Sequence, residues 1–443
     1  MLWITSYDPG KSTTFVPKIE NRMLSMLMLV DSLRSFKSKL QTKLNSSDKR
    51  AKIQDSDFVI GLLQAVAQAK GNFSLSEIRL SVCQFLGLSI GASAFNERIG
   101  TTSLAKHLKL ALEILINSTI SNDSNLVASE IAVKLGVNKI IGVDSSMVTL
   151  WDGLSDVFKG TFMESAAKLH MAINLVTGSI SWFDLTPGST HDSKRFPDIQ
   201  QDCLYIFDLG YWSTILMQKI SNQQSYFLTR VKGNAKLTIS KVVYGIGKSA
   251  IGKDLLSIPI NRKRGSIVEV FATTFIGKNE IEFRVLGFWN KKSKSYHWYL
   301  TNIDTPRGIV ANLYRLRWQV ELSFKAMKST LNFDRMPTLN KNAAESFALI
   351  ALINYMFSVI IRSEAETLNL MNGKDYSKTT SILKSAKAFS EGAQAILEGL
   401  KIGRRITNSW IANLQLKLKI LLEFVFDPNR KKRNSTIACL LGY

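Results

Sequence analysis

The stretch Tyr314-Arg315-Leu316-Arg317-Trp318-Gln319-Val320-Glu321-Leu322-Ser323-Phe324-Lys325-Ala326-Met327-Lys328 decides how this 443-residue chain is read. Wound as a helix at about 100° per residue, it gathers Tyr314, Arg317, Glu321, Lys325 and Lys328 within an arc of roughly 80°. Leu313, Leu316, Val320, Phe324 and Met327 form a neighbouring stripe, the apolar seam that seats a helix on a sheet. One acid therefore projects among an aromatic and three cations. Arg317 to Glu321 and Glu321 to Lys325 have i,i+4 spacing, so a solvated face with ion pairs accounts for part of the pattern. A cation-binding carboxylate flanked by phosphate-binding side chains accounts for all of it, the tyrosine included.

Upstream, two carboxylates occupy matching places. Asp144 follows Ile140-Ile141-Gly142-Val143, and Asp208 follows Leu204-Tyr205-Ile206-Phe207. Each apolar run reads as a buried strand, and each acid precedes an expected turn, Ser145-Ser146 or Leu209-Gly210-Tyr211. A single Asp in such a place caps a turn as readily as it binds a ligand. Ligands of α/β sheets bind at the carboxyl ends of strands, so two adjacent strands would bring both acids to one crevice. Like charges held together need a cation to neutralise them, and for oxygen ligands and phosphate chemistry that cation is Mg²⁺.

Around these acids the chain divides by texture. Residues 1–135 read as helical, with apolar residues at helical spacing over Met23–Leu44 and Asp57–Lys70. Ser74 and Glu77 form a capping box; a helix to Leu86, then Gly87, then a second helix through Ser93–Arg98 give the outline of a helix-turn-helix. Plain helical packing would give the same outline. Residues 136–229 read as strands at Lys139–Val143, Lys168–Val176, Ser179–Leu185, Cys203–Phe207 and Tyr226–Thr229, with a helix over Trp212–Ile220. Residues 230–302 are again β-rich (Ser266–Phe275, Ile281–Phe288, His297–Leu300), and residues 230–300 carry 14 Lys+Arg against 4 Asp+Glu. Residues 303–362 hold long helices over Ile309–Leu331 and Ala343–Ile361, and residues 363–443 read as a polar helical tail ending near Arg430-Lys431-Lys432-Arg433. The predicted class is α/β.

Composition narrows the function. With 57 Lys+Arg against 35 Asp+Glu, the net charge is +22, which draws the chain to polyanions, nucleic acid first. Three cysteines in a long chain make no disulfide scaffold and suit a reducing compartment. Four scattered histidines make no zinc cluster. No secretory leader is expected at the N-terminus. The longest apolar stretch, Phe347–Ile361, is interrupted by Asn354 and Ser358 and reads as a buried helix rather than a membrane span.

Tyr-x2-Arg-x3-Glu-x6-Lys, with an Asp after each of two earlier strands, resembles the Y-R-E-K group of DDE transposases from bacterial insertion sequences. The resemblance covers roughly residues 136–362 and, more loosely, the helical N-terminal part. It implies a ribonuclease H-like mixed-sheet core in which Asp144, Asp208 and Glu321 bind two divalent ions, Mg²⁺ or Mn²⁺. The 112 residues between Asp208 and Glu321 match the β-rich insertion domain of this group. By the same resemblance, Tyr314, Arg317 and Lys328 hold DNA phosphates near the cleaved end, and Lys325 joins them by geometry. Trp298, in Tyr296-His297-Trp298-Tyr299, is placed like a tryptophan that stacks on a flipped base; Arg230 and Lys232 resemble basic residues lining the transposon end. The implied partners are transposon-end and target DNA and a second copy of the chain, with no membrane, in the bacterial cytoplasm at the nucleoid.

Two motifs lead elsewhere and are set aside. Gly247–Lys253 approaches a phosphate loop, but Asp254 stands where Ser or Thr must ligate Mg²⁺. His191-Asp192 suggests an acid–base pair, yet its place after Pro187-Gly188-Ser189-Thr190 suits loop ordering better. Two other functions keep the same acids: a stand-alone ribonuclease H-like nuclease, which needs neither the Tyr/Arg/Lys face nor the long insertion, and a catalytically silent DNA-binding remnant.

Overall fold

The computed structural model describes residues 33–44, 52–69, 73–121, 126–258, 267–371, 380–401 and 407–426. Helices come first: α1 (33–44), α2 (Asp55–Gln68), α3 (Leu75–Leu86), α4 (Ala92–Ile99), α5 (Thr102–Ser121) and α6 (Leu126–Leu135). Ser74 caps α3, its Oγ accepting from the Glu77 amide at 3.3 Å, and Gly87 closes α3 at φ +71°. The inner residues of α3 and α4, among them Ile78, Val82, Phe95 and Ile99, are buried in the main core. The N-terminal half of the helix expected over Met23–Leu44 and the basic run at 430–433 lie outside the described residues.

The sheet then builds from β1 (Lys139–Thr149), β2 (Ala166–Asn174), β3 (Ile180–Pro187), β4 (Cys203–Phe207) and β5 (Tyr226–Arg230). β1, β2 and β3 are antiparallel neighbours, while β4 runs parallel to β1 and β5 parallel to β4. The β4–β5 crossover is α7 (Thr214–Asn222), capped by Ser213 Oγ, which accepts from the Leu216 amide. The basic segment continues the same sheet as β6 (Thr238–Tyr244), β7 (Ile267–Ile276), β8 (Asn279–Asn290) and β9 (Ser295–Thr301). β9 pairs antiparallel with β5, Thr229 opposite Leu300. The nine strands thus lie in the order β3-β2-β1-β4-β5-β9-β8-β7-β6.

Alternation along the strands gives the sheet two faces. Ile140, Leu169, Met171, Leu204, Ile206 and Leu228 share one core with the helices; Ile141, Val143, Tyr205, Phe207, Phe227 and Trp298 belong to a second core on the other face. Over the first face lie α8 (Val310–Arg315), α9 (Trp318–Thr330), α10 (Lys341–Met371), α11 (Ile382–Glu398) and α12 (Asn408–Val425). Lys341–Thr367 is long and apolar enough to cross a membrane, but 94 % of its most apolar window is buried inside the protein. Its polar interruptions have partners: Asn354 Nδ2 donates to the Leu63 carbonyl at 3.1 Å, tying α10 to α2, and Ser358 Oγ donates to the Tyr355 carbonyl.

Two expectations change. The helix read over Ile309–Leu331 breaks at Leu316-Arg317, where three-residue bonds from Gln319 N to Leu316 O and from Val320 N to Arg317 O tighten the turn. Leu and Arg are good helix formers, so propensity carries no sign of such a tightening. The segment past residue 363 is not simply a polar tail. Phe389 of α11 stacks on Phe357 of α10 at 5.4 Å, and Ala386, Ala393 and Leu397 are buried with it.

Candidate active site

Val143 and Phe207 are the last paired residues of the β1–β4 ladder, so Asp144 and Asp208 come next, side by side. Asp144 was expected at the end of its strand; instead β1 runs on to Thr149, with Ser145 and Ser146 opposite His170 and Leu169 of β2. Because β4 stops at Phe207, the sheet at Asp144 has a neighbour on one side and a crevice on the other. Asp208 precedes the short turn Leu209–Tyr211 but makes no side-chain cap to it. Its carboxylate is therefore not spent on the turn.

Gly142 brings the third acid in. A Cβ there would stand 2.6 Å from Val320 Cγ2 and 2.4 Å from Leu175 Cδ2, so only glycine lets α9 lie this close to β1. Val320, Phe324 and Met327 are buried against the core, as the apolar stripe required. Glu321 follows Val320 and faces the crevice. With Asp144, Ser146, Lys325, Lys328 and Asp334 it lines a cleft of about 430 Å³.

Arg317 joins the acids. Its Nη1 lies 3.0 Å from Asp144 Oδ2, and its Nη2 bonds to Glu321 Oε1. Asp144 Oδ1 accepts from the Ser145 amide at 2.8 Å. Burial pushes the Asp144 carboxyl up to about 6, against the Ser145 amide and the Arg317 guanidinium; Asp208 and Glu321 add to the rise. Tyr314 donates its hydroxyl to Asp208 Oδ1 at 3.4 Å and packs on Tyr299 with ring centroids 5.0 Å apart. Burial raises the Tyr314 pKa, so the phenol keeps its proton. Lys328 Nζ donates to the Met147 carbonyl of β1 at 2.6 Å, and Lys325 is exposed at the mouth of the cleft.

The other expected residues divide. Arg230, at the end of β5, lies within electrostatic reach of Tyr314, and its Nε is buried without a hydrogen-bond partner, as is Arg317 Nε. Lys232 is exposed in the loop that follows. Trp298 is not brought to the cleft: it is 9 % exposed in the core on the opposite face, stacked on Tyr296 and over Gly287, where a Cβ would stand 2.5 Å from its ring. Trp318, the residue after Arg317, is 57 % exposed, and nothing in the sequence pattern singled it out. Gly247–Lys253 makes a short 3-10 turn, and Asp254 accepts from the Leu256 and Ser257 amides, so it is no phosphate loop.

Three carboxylates are hard oxygen donors of the kind that hold Mg²⁺ or Mn²⁺. Among the described residues no three acids or histidines converge as they stand. Arg317 occupies the place between Asp144 and Glu321 and supplies the positive charge there. Asp144 and Glu321 thus offer oxygen donors suited to a divalent ion around a position where the protein already holds a cation.

The profile of the transposase DDE domain matches residues 140–357, from β1 to about the middle of α10, with all three acids inside. The transposase for insertion sequence element IS1151 of Clostridium perfringens is 22 % identical over 351 residues, 68 % of this chain and 74 % of that protein. A putative transposase for insertion sequence element IS4SA of Synechocystis is 24 % identical over 323 residues, 66 % of this chain and 86 % of that protein. Among solved structures, a piggyBac transposase synaptic complex with hairpin DNA covers 91 % of this chain at 11 % identity and a TM-score of 0.43, so the fold rests on the topology above. The chain is a DDE transposase of the insertion-sequence kind, from a family that cuts and joins DNA with divalent metal ions.

Proposed function

We propose that this transposase cleaves DNA at the ends of its element and transfers them to target DNA, using Asp144, Asp208 and Glu321 on a ribonuclease H-like core to hold two divalent ions, Mg²⁺ or Mn²⁺. The observation that carries the reading is the Arg317 bridge between Asp144 and Glu321. When bound, such ions stabilise the attacking and leaving oxygens of an in-line displacement at phosphorus.

The chain's own groups do the rest. Tyr314 keeps its proton and directs it at Asp208, which fixes that carboxylate. Arg317, beside Asp144 and Glu321, and Arg230, within electrostatic reach of Tyr314, put positive charge where a phosphate of the cleaved strand would be drawn. Lys325 and Lys328 add positive charge along the cleft. The basic segment 230–302 and the N-terminal helices supply the wider grip on DNA, whose strength falls as salt rises. Joining two ends requires both in one complex, so the acting species is at least a homodimer.

The test is a linear DNA carrying the inverted repeats that flank the coding region, incubated with the purified protein in Mg²⁺ or in chelator. Metal-dependent cuts at the repeat boundaries are expected on a denaturing gel. Degradation without preference for the repeats would return the chain to the stand-alone nuclease reading, and binding without any cutting to the silent remnant.

A further inference from the structure

Behind the acids, on the other face of the sheet, lies a polar group of side chains that the chemistry above does not use. Ser145, one residue after Asp144, points to that face, and its hydroxyl donates to Asp192 Oδ1 at 2.7 Å. The same oxygen receives Lys168 Nζ at 3.3 Å, and Lys168 also donates to the Thr190 carbonyl at 2.7 Å. Asp192 opens the short turn Asp192–Lys194, which exposed His191 holds by accepting from the Ser193 amide. His170, fully buried nearby, is pushed down to about 4 by burial and stays neutral; the charge partner of Asp192 is therefore Lys168.

The second oxygen of Asp192 reaches the turn that follows the other acid. A Cβ on Gly210 would stand 2.7 Å from Asp192 Oδ2, and Gly210 lies two residues after Asp208. One carboxylate thus touches both the residue after Asp144 and the turn after Asp208. β1 and β4 make no paired contact beyond Val143 and Phe207, so the ladder itself does not fix the two acids relative to each other at this point.

We propose that Asp192 is a positioning residue that sets the spacing and direction of Asp144 and Asp208 from behind the sheet, with Gly210 required for its approach. This rests on those two acids being the metal ligands. Outer partners that orient a ligand typically matter about 10- to 100-fold in metal affinity or activity.

The experiment compares Asp192→Ala, Asp192→Asn, Gly210→Ala, Asp144→Ala and the double variant Ser145→Ala with Asp192→Ala by single-turnover cleavage at saturating end DNA, by end-DNA affinity, and by the rise in melting temperature on adding Mn²⁺ alone. Asp192→Ala should cut about 10- to 100-fold more slowly and show a smaller Mn²⁺ shift, with end-DNA affinity unchanged. Asp192→Asn keeps an acceptor for Ser145 and should recover part of the rate. Gly210→Ala should repeat the loss with Asp192 intact, and Ser145→Ala combined with Asp192→Ala should be no worse than Asp192→Ala alone. Wild-type cleavage by Asp192→Ala, beside a dead Asp144→Ala, would overturn the proposal. So would a lowered melting temperature with an unchanged Mn²⁺ shift and rate. An active Asp144→Ala would remove the ligand assignment itself, and the positioning role with it.

Discussion

Arg317 and Asp144 are held together, Nη1 to Oδ2 at 3.0 Å, and the same guanidinium bonds Glu321 on the next turn of chain. Both carboxylates are largely withdrawn from solvent, at 18 % and 32 % side-chain exposure. Without a cation between them they would repel; the Asp144 carboxyl is raised first by burial and only then by Asp208 and Glu321. The site is built to contain positive charge.

Removal of that charge is the first prediction. Arg317→Ala should lower the melting temperature in chelator, a loss of about 1–3 kcal/mol for groups left unpaired, and added Mg²⁺ should restore most of it. End-DNA binding should weaken, with the salt slope shallower by about one unit for the lost phosphate contact. Lys328→Ala should change the slope likewise. Titrations at several salt concentrations decide, and unchanged slopes would mean that neither residue contacts a DNA phosphate.

Gly142→Ala tests how α9 is seated. The added methyl meets Val320 and Leu175 at 2.6 and 2.4 Å, an overpacking that costs about 1–3 kcal/mol and displaces Glu321 from Asp144. Cleavage should fall further than stability does, read as single-turnover rate beside urea unfolding. Equal activity in the two proteins would show that the close approach is dispensable.

Much of this arrangement was legible in the sequence, for identifiable reasons. The 3.6-residue period placed Arg317, Glu321, Lys325 and Lys328 on one face, and apolar runs placed β1 and β4. What stayed hidden depends on partners distant in sequence. That Asp144 lies within a strand follows from pairing with β2, not from its own run. The burial of α11 was obscured because its inner face is largely Ala and Ser, Ser385, Ala386, Ala388, Ser390 and Ala393. Asp192 meets Ser145 across 47 residues, and no local pattern announces that.

Trp298 shows the same limit. A one-residue change of strand register swaps the two faces of a sheet, so sequence alone left the ring free to face the crevice. Placed in the core, Trp298→Ala should cost about 3–5 kcal/mol of stability and reduce every product of the reaction together. Trp318→Ala should leave the melting temperature nearly unchanged and weaken the step that needs a distorted end, by stacking worth about 1–3 kcal/mol. A time course on end-labelled DNA beside melting curves separates them. The reverse pattern, with Trp298→Ala stable and losing only hairpin or double-strand products, would put Trp298 at the DNA.

Glu364 of α10 predicts a pH effect independent of catalysis. Its Oε2 is buried without a hydrogen-bond partner, and burial raises the carboxyl from 4.5 to about 8. The folded chain keeps a proton that the unfolded chain releases, so this residue's contribution to stability is fully present below about pH 4.5 and is lost as pH rises toward 8. Glu364→Gln should abolish that decline, which amounts to at most about 1.4 kcal/mol per pH unit. Urea unfolding at pH 5, 6.5 and 8 should show the two proteins diverging as pH rises; parallel curves would contradict the assignment.

The most direct measurement sets Asp144→Ala, Asp208→Ala and Glu321→Ala against the wild type on end-labelled DNA carrying the terminal repeats. Each variant should lose Mg²⁺-dependent cleavage while binding the same DNA with nearly wild-type affinity. Cleavage at a near wild-type rate by any one of the three would contradict the account, since that carboxylate would then hold no metal at the site.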